Sequence, residues 1–214
     1  MLFNVLSLVS NAVIFFSTLI CLVIFLVKGG EGNMKVSRFR CFVYFTVDSN
    51  VFAMLVSGVM MYFNIKGLAA GGALELPQWA VVLKLVAATA VTLTFLVTAT
   101  MLAPFAKDGY FSLFTGTSFC MHFSTPVLAA LSFILFEAGV KLDYIMILFA
   151  LIPTVVYAIV YFIMVLVVGE EKGGWKDFYG FNKGGRWYVS APVIIAMTAL
   201  IAFVEILLHN LASR

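Results

Sequence analysis

Tyr44-Phe45-Thr46-Val47-Asp48-Ser49-Asn50 sets four polar side chains, Thr46, Asp48, Ser49 and Asn50, into an otherwise apolar run from about Cys41 to Ile65. In the hydrocarbon of a bilayer a carboxylate or carboxamide costs roughly 2–3 kcal/mol even on lenient insertion scales, unless it faces protein or water. A helix in lipid satisfies its own backbone. The run therefore reads as a membrane span, and the cluster as the part of it that must point inward.

The rest of the chain fits that solvent. Hydrophobic residues make up 64% and charged residues 11%, with a mean hydropathy of +1.12, where a soluble domain carries about 25% charged residues. The 214 residues hold about six spans of ~20 residues with short connections. The net charge of +3 belongs to the connections and implies no affinity for nucleic acid. Cys21, Cys41 and Cys120 lie in or beside spans and are odd in number, so neither a disulfide framework nor zinc spacing follows. The N-terminal apolar run has no basic region before it and no small-residue cleavage pattern, and reads as a retained first span.

The expected fold class is all-α: a polytopic membrane protein, one domain over 1–214, built as a bundle of six transmembrane helices at about 5–27, 41–65, 79–105, 116–137, 144–168 and 187–209. Trp79, Tyr110, Tyr144, Trp175 and Trp187 fall at or near the ends, in the headgroup zone. The first, third and fifth connections carry Lys28, Lys35, Arg38, Arg40, Lys107, Lys172, Lys176, Lys183 and Arg186, against Lys66, Lys141 and Arg214 on the other side. By the positive-inside rule the odd connections are cytoplasmic, including the long Gly169–Arg186 loop, and both termini are external.

Depth then groups residues from different spans. The second and fourth spans start on the same side, so Thr46 and His122 each sit about six residues, or ~9 Å, below that surface. Thr98, Tyr161 and Ser190 enter the same layer from the third, fifth and sixth spans, which predicts a polar pocket toward the odd connections. At 100° per residue Thr46, Ser49 and Asn50 share one face of the second helix, while Asp48 points about 160° away from Thr46 and needs a partner or a proton. Lys84, the one basic residue well inside a span, lies near the depth of Glu205 and is expected to pair with it.

Pro126, four residues after His122, is expected to free the His122 carbonyl and kink the fourth helix. His122 can lock two helices through one hydrogen bond or act as a base. The other histidine, His209, lies roughly 24 Å deeper, so the two cannot share a metal or haem; no metal and no cofactor is expected. A threonine hydroxyl at the depth of an imidazole suits nucleophilic acyl transfer, with the histidine as base and a donor such as Ser49 or Asn50 for the oxyanion. The plain alternative is a threonine bonded to its own i−4 carbonyl.

Phe45-Thr46-x-x-Ser49-Asn50, His122-x-x-x-Pro126, and the stretch from Tyr157 to Gly169 followed by Trp175-x-x-Phe178 resemble the prokaryotic branch related to the androgen-induced-gene and androgen-dependent TFPI-regulating protein family. That resemblance implies six spans in a prokaryotic cytoplasmic membrane and an intramembrane threonine hydrolase that cleaves fatty acid esters of hydroxy fatty acids. Thr46 would be its nucleophile and His122 its base. Ser49, Asn50, Asp48, Thr98, Tyr161 and Ser190 form the expected substrate-binding set, and membrane lipids are both solvent and substrate.

The Gly169–Arg186 loop holds five glycines after its first residue and four aromatics, Trp175, Phe178, Tyr179 and Phe181. It carries no phosphate-binding pattern and reads either as a lid over the Thr46 layer or as an interfacial turn. Besides the hydrolase, two readings stand open: a non-catalytic membrane protein that binds or transports a lipid or small solute, and a structural partner whose polar residues only lock helices.

Overall fold

Six helices long and apolar enough to cross a membrane account for most of the chain: α1 (Leu2–Lys28), α2 (Phe45–Ala69), α3 (Gln78–Phe105), α4 (Gly116–Phe136), α5 (Tyr144–Val168) and α6 (Trp187–Ala212). This is the architecture of an integral membrane protein. The structure, a computed structural model, describes residues 1–29, 38–72 and 75–213, and no strand occurs among them. Lys35 and Arg214 of the charge asymmetry lie outside the described residues.

α3 is the hub. Two thirds of its most apolar window (67%) is buried, against 11% for α5. Ala80, Ala87, Ala88 and Ala90 are essentially inaccessible, and such small side chains let neighbouring helices come close. Leu85 and Val91 on α3 pack with Ile14 of α1, Met60 of α2, Phe133 of α4 and Ile206 of α6 in one core.

α2 begins later than its hydropathy implies. Arg38–Val43 forms a separate 3-10 helix, Tyr44 is extended (φ −102, ψ 126), and the α-helix starts at Phe45. Thr46 therefore lies in the first helical turn instead of about six residues inside the helix. Its residue i−4, Phe42, falls outside α2, so the back-bonded threonine expected of a mid-helix position does not apply.

A kink at Pro126 is not confirmed. The backbone meets the missing N–H with a π-helical turn over Cys120–Ser124. Thr125 N–H closes that turn on Cys120 O, and Pro126, next in the chain, has no N–H to continue it. Within the turn, Met121 O accepts from Asn50 Nδ2 of α2 at 3.0 Å. A second π turn, Ser132–Phe136, leaves Phe133 O to accept from the His209 ring at 2.8 Å, and the other ring nitrogen sits 2.9 Å from Val140 O. His209 thus fastens the end of α6 to the end of α4.

The expected Lys84–Glu205 pair does not form. The Lys84 ammonium donates to Asn11 Oδ1 at 2.6 Å and lies 3.7 Å from Glu137 Oε1. That same carboxylate oxygen accepts from Ser7 (2.8 Å), Asn11 (2.7 Å) and Ser132 (2.6 Å). Glu205 is held instead by the hydroxyls of Thr89 (2.7 Å) and Thr92 (2.9 Å). Thr89 stands about 140° around α3 from Lys84, so equal depth put the two charges on different faces. Removing one partner of a buried ion pair strands the other charge. Glu137→Ala is expected to cost about 3–5 kcal/mol and to lower the thermal unfolding midpoint in detergent sharply. Combining it with Lys84→Met should restore most of the loss.

Candidate functional site

The first turns of α2 are tied to two neighbouring helices at one level. The Thr46 carbonyl accepts from Asn50 Nδ2 at 2.7 Å and from Ser49 Oγ at 3.2 Å. Ser49 and Thr94 of α3 share a hydroxyl hydrogen bond at 3.0 Å, and Asn50 reaches α4 through Met121 O. Thr46, Ser49 and Asn50 are all buried, as their common face predicts. Ser49 and Asn50 therefore hold α2 against α3 and α4 through backbone and hydroxyl contacts and do not line the cavity described next.

That cavity, about 310 Å³, lies between α3, α5, α6 and the Gly169–Arg186 loop. Thr46, Thr98, Tyr161 and Ser190 line it, so four of the eight residues expected from sequence meet around one space. His122 does not: it is buried, and Nδ1 lies 3.0 Å from Leu113 O. Because a carbonyl can only accept, Nδ1 carries the hydrogen, and in the neutral ring the lone pair stays on Nε2. No hydrogen bond joins Thr46 to His122 among the described residues. Asp48 is half-buried and does not line the cavity, and among the described residues its carboxylate makes no ion pair or hydrogen bond.

The side chain that comes up to Thr46 is one the sequence did not single out. The Tyr179 phenol oxygen lies within reach of the Thr46 hydroxyl, of the Tyr157 hydroxyl and of the Phe45 and Thr46 N–H groups. Those N–H groups are among the four that a helix start leaves without helical acceptors. Asp177 puts Tyr179 there. Its carboxylate accepts from the Tyr161 hydroxyl (3.0 Å) and the N–H groups of Phe181 and Asn182 (both 2.8 Å). The Tyr161 oxygen in turn accepts from Tyr179 N at 3.1 Å. Around this frame Tyr44, Tyr157, Tyr161, Trp175, Phe178 and Tyr179 pack ring against ring. The loop folds back onto α5 at Gly174, where an added Cβ would collide with the Met164 carbonyl oxygen, so only glycine fits. Gly180, next to Tyr179, has φ +67. The loop lies over the Thr46 layer as a lid would.

Burial pushes the Tyr179 phenol up to about 12, with the hydrogen bonds from Thr46 acting in the opposite direction. An ordinary tyrosine titrates near 10. The closed loop thus favours the neutral phenol: its contribution to closure is complete below about pH 10 and is lost as pH rises through about 12. An absorbance titration of phenolate should show a component near 12 that disappears in Tyr179→Phe. A Tyr179 component at the ordinary value would mean that the loop does not close on α2.

No family model, curated protein or solved structure matches the chain.

Proposed function

We propose that the protein is an intramembrane hydrolase of fatty-acyl esters with Thr46 as nucleophile. The observation that carries this reading is the place of the Thr46 hydroxyl, on the wall of a mostly apolar cavity of about 310 Å³ and in the first turn of a helix. Attack by Thr46 Oγ forms a C–O bond to the ester carbonyl carbon, the bond from that carbon to the alkoxy oxygen breaks, and the alcohol leaves with a proton. Water then cleaves the acyl-threonine and returns a proton to Thr46. The balance is ester plus water to acid plus alcohol.

Two features support those steps. With Tyr179 displaced, the Phe45 and Thr46 N–H groups are free donors for the oxyanion that develops on the carbonyl. His122 suits the base, since its Leu113 contact leaves Nε2 with the lone pair. Asn50 bonds both the Thr46 and Met121 carbonyls, which sets Thr46 beside the turn that carries His122, and a relaying water would carry the proton between them. The resemblance around Phe45-Thr46 and His122-x-x-x-Pro126 assigns the same two roles. On the charge bias, the cavity end faces the cytoplasm of a prokaryotic cell and both termini lie outside.

A second reading, a protein that binds or transports a lipid or small solute without chemistry, is favoured by the missing Thr46–His122 hydrogen bond. A fluorophosphonate probe of the serine-hydrolase type separates the two. Peptide mapping should find the adduct on Thr46, with none in Thr46→Ala and a loss of about 100-fold or more in labelling rate for His122→Ala. Labelling that survives Thr46→Ala overturns the hydrolase reading.

A further inference from the structure

Charge is what the cavity leaves out. Its wall mixes hydroxyl-bearing side chains, Thr46, Thr98, Tyr157 and Ser190 among them, with apolar ones, and contains no Asp, Glu, Lys, Arg or His. Behind that wall stands the Asp177 carboxylate, which accepts from the Tyr161 hydroxyl. Lys176, Lys183 and Arg186 on the same loop are exposed and line no part of the cavity. An anionic group drawn in beside Thr46 would lose its hydration, gain no cation and approach a like charge, each of which opposes entry.

The way in is from the side. Met101 of α3 and Val189 and Val193 of α6 line the cavity and are also 47%, 50% and 52% exposed on the outside of the bundle. Met101 is four residues from the end of α3, and Val189 and Val193 are two and six from the start of α6, which puts the opening roughly 3–9 Å inside the helix ends. With a headgroup layer of about 5–7 Å, the inner part of the opening, at Met101 and Val193, reaches the level of the acyl chains.

We propose that the ligand is a neutral lipid ester taken from the bilayer between α3 and α6, and that esters bearing an ionised carboxylate are excluded. The inference rests on the hydrolase reading for the fate of the ester, but not for its binding. It departs from the fatty acid esters of hydroxy fatty acids implied by the sequence resemblance, since these keep a free carboxylate. It also gives the reaction a direction: hydrolysis of a neutral ester leaves an acid that ionises, and the cavity wall has no cation to pair with that charge, so release of the acid product is favoured.

The test uses the full chain in phospholipid vesicles at pH 8 and a diazirine-bearing long-chain methyl ester as photoprobe. Crosslinks are expected on the α3 and α6 peptides around Met101 and Val193. A long-chain methyl ester should compete at least tenfold better than the corresponding free acid. Val193→Trp, and Val193→Phe should the larger side chain prevent folding, should reduce crosslinking several-fold with the thermal midpoint unchanged. Equal competition by the acid, or crosslinks confined to other helices, overturns the proposal. Crosslinking that keeps its preference for the ester, in a protein that turns over no ester, would sink the hydrolase reading alone. Turnover with equal competition would sink this inference alone.

Discussion

The Asn50 carboxamide is the joint on which the rest of this end of the bundle depends. In hydrocarbon no water is available to satisfy a stray carbonyl, and the π turn of α4, followed by Pro126 with no N–H to give, presents the Met121 carbonyl toward α2. Asn50 answers it from α2 while also bonding the Thr46 carbonyl one turn below. One side chain thus sets the distance between the threonine that faces the cavity and the turn that carries His122. Its own Oδ1 remains without a partner in the buried interior, so the joint is made entirely through its donors.

Two polar centres organise the molecule, one toward each end of α3, and they do different work. The Lys84–Glu137 centre draws Ser7 and Asn11 of α1 and Ser132 of α4 around one carboxylate oxygen, with every member buried. Its geometry is that of a clasp between helices. The Thr46 centre borders open volume and is covered by a loop whose position follows from one carboxylate, Asp177. That contrast, four donors gathered on one carboxylate oxygen at one end and space at the other, separates the structural part of the bundle from the part suited to a ligand.

Much of the site could be read before any coordinates. The common face of Thr46, Ser49 and Asn50, and the convergence of Thr98, Tyr161 and Ser190 with Thr46, follow from the 100° turn and 1.5 Å rise of a helix. Two side chains escaped that reasoning in opposite ways. His122 has the right depth, yet its ring turns to the Leu113 carbonyl and away from the cavity. Tyr179 belongs to a connection with no periodicity to read. The aromatic density of its loop was visible, but which ring would reach Thr46 depends on the Asp177 bonds. The Lys84–Glu205 expectation failed for a related reason, since depth was right and the face around the helix was wrong.

Composition and the length of the apolar runs were enough by themselves to determine six membrane-crossing helices, because the bilayer imposes span length and backbone satisfaction on any sequence that enters it. They also determined that the cluster at Thr46-Val47-Asp48-Ser49-Asn50 had to be turned toward protein. Tertiary structure alone decided which of those polar groups meets open space, which is spent as a donor to a neighbouring helix, and which loop residue closes over them. Rotation of each helix about its axis and the path of an aperiodic loop are set by packing between segments distant in sequence, and no local pattern encodes that.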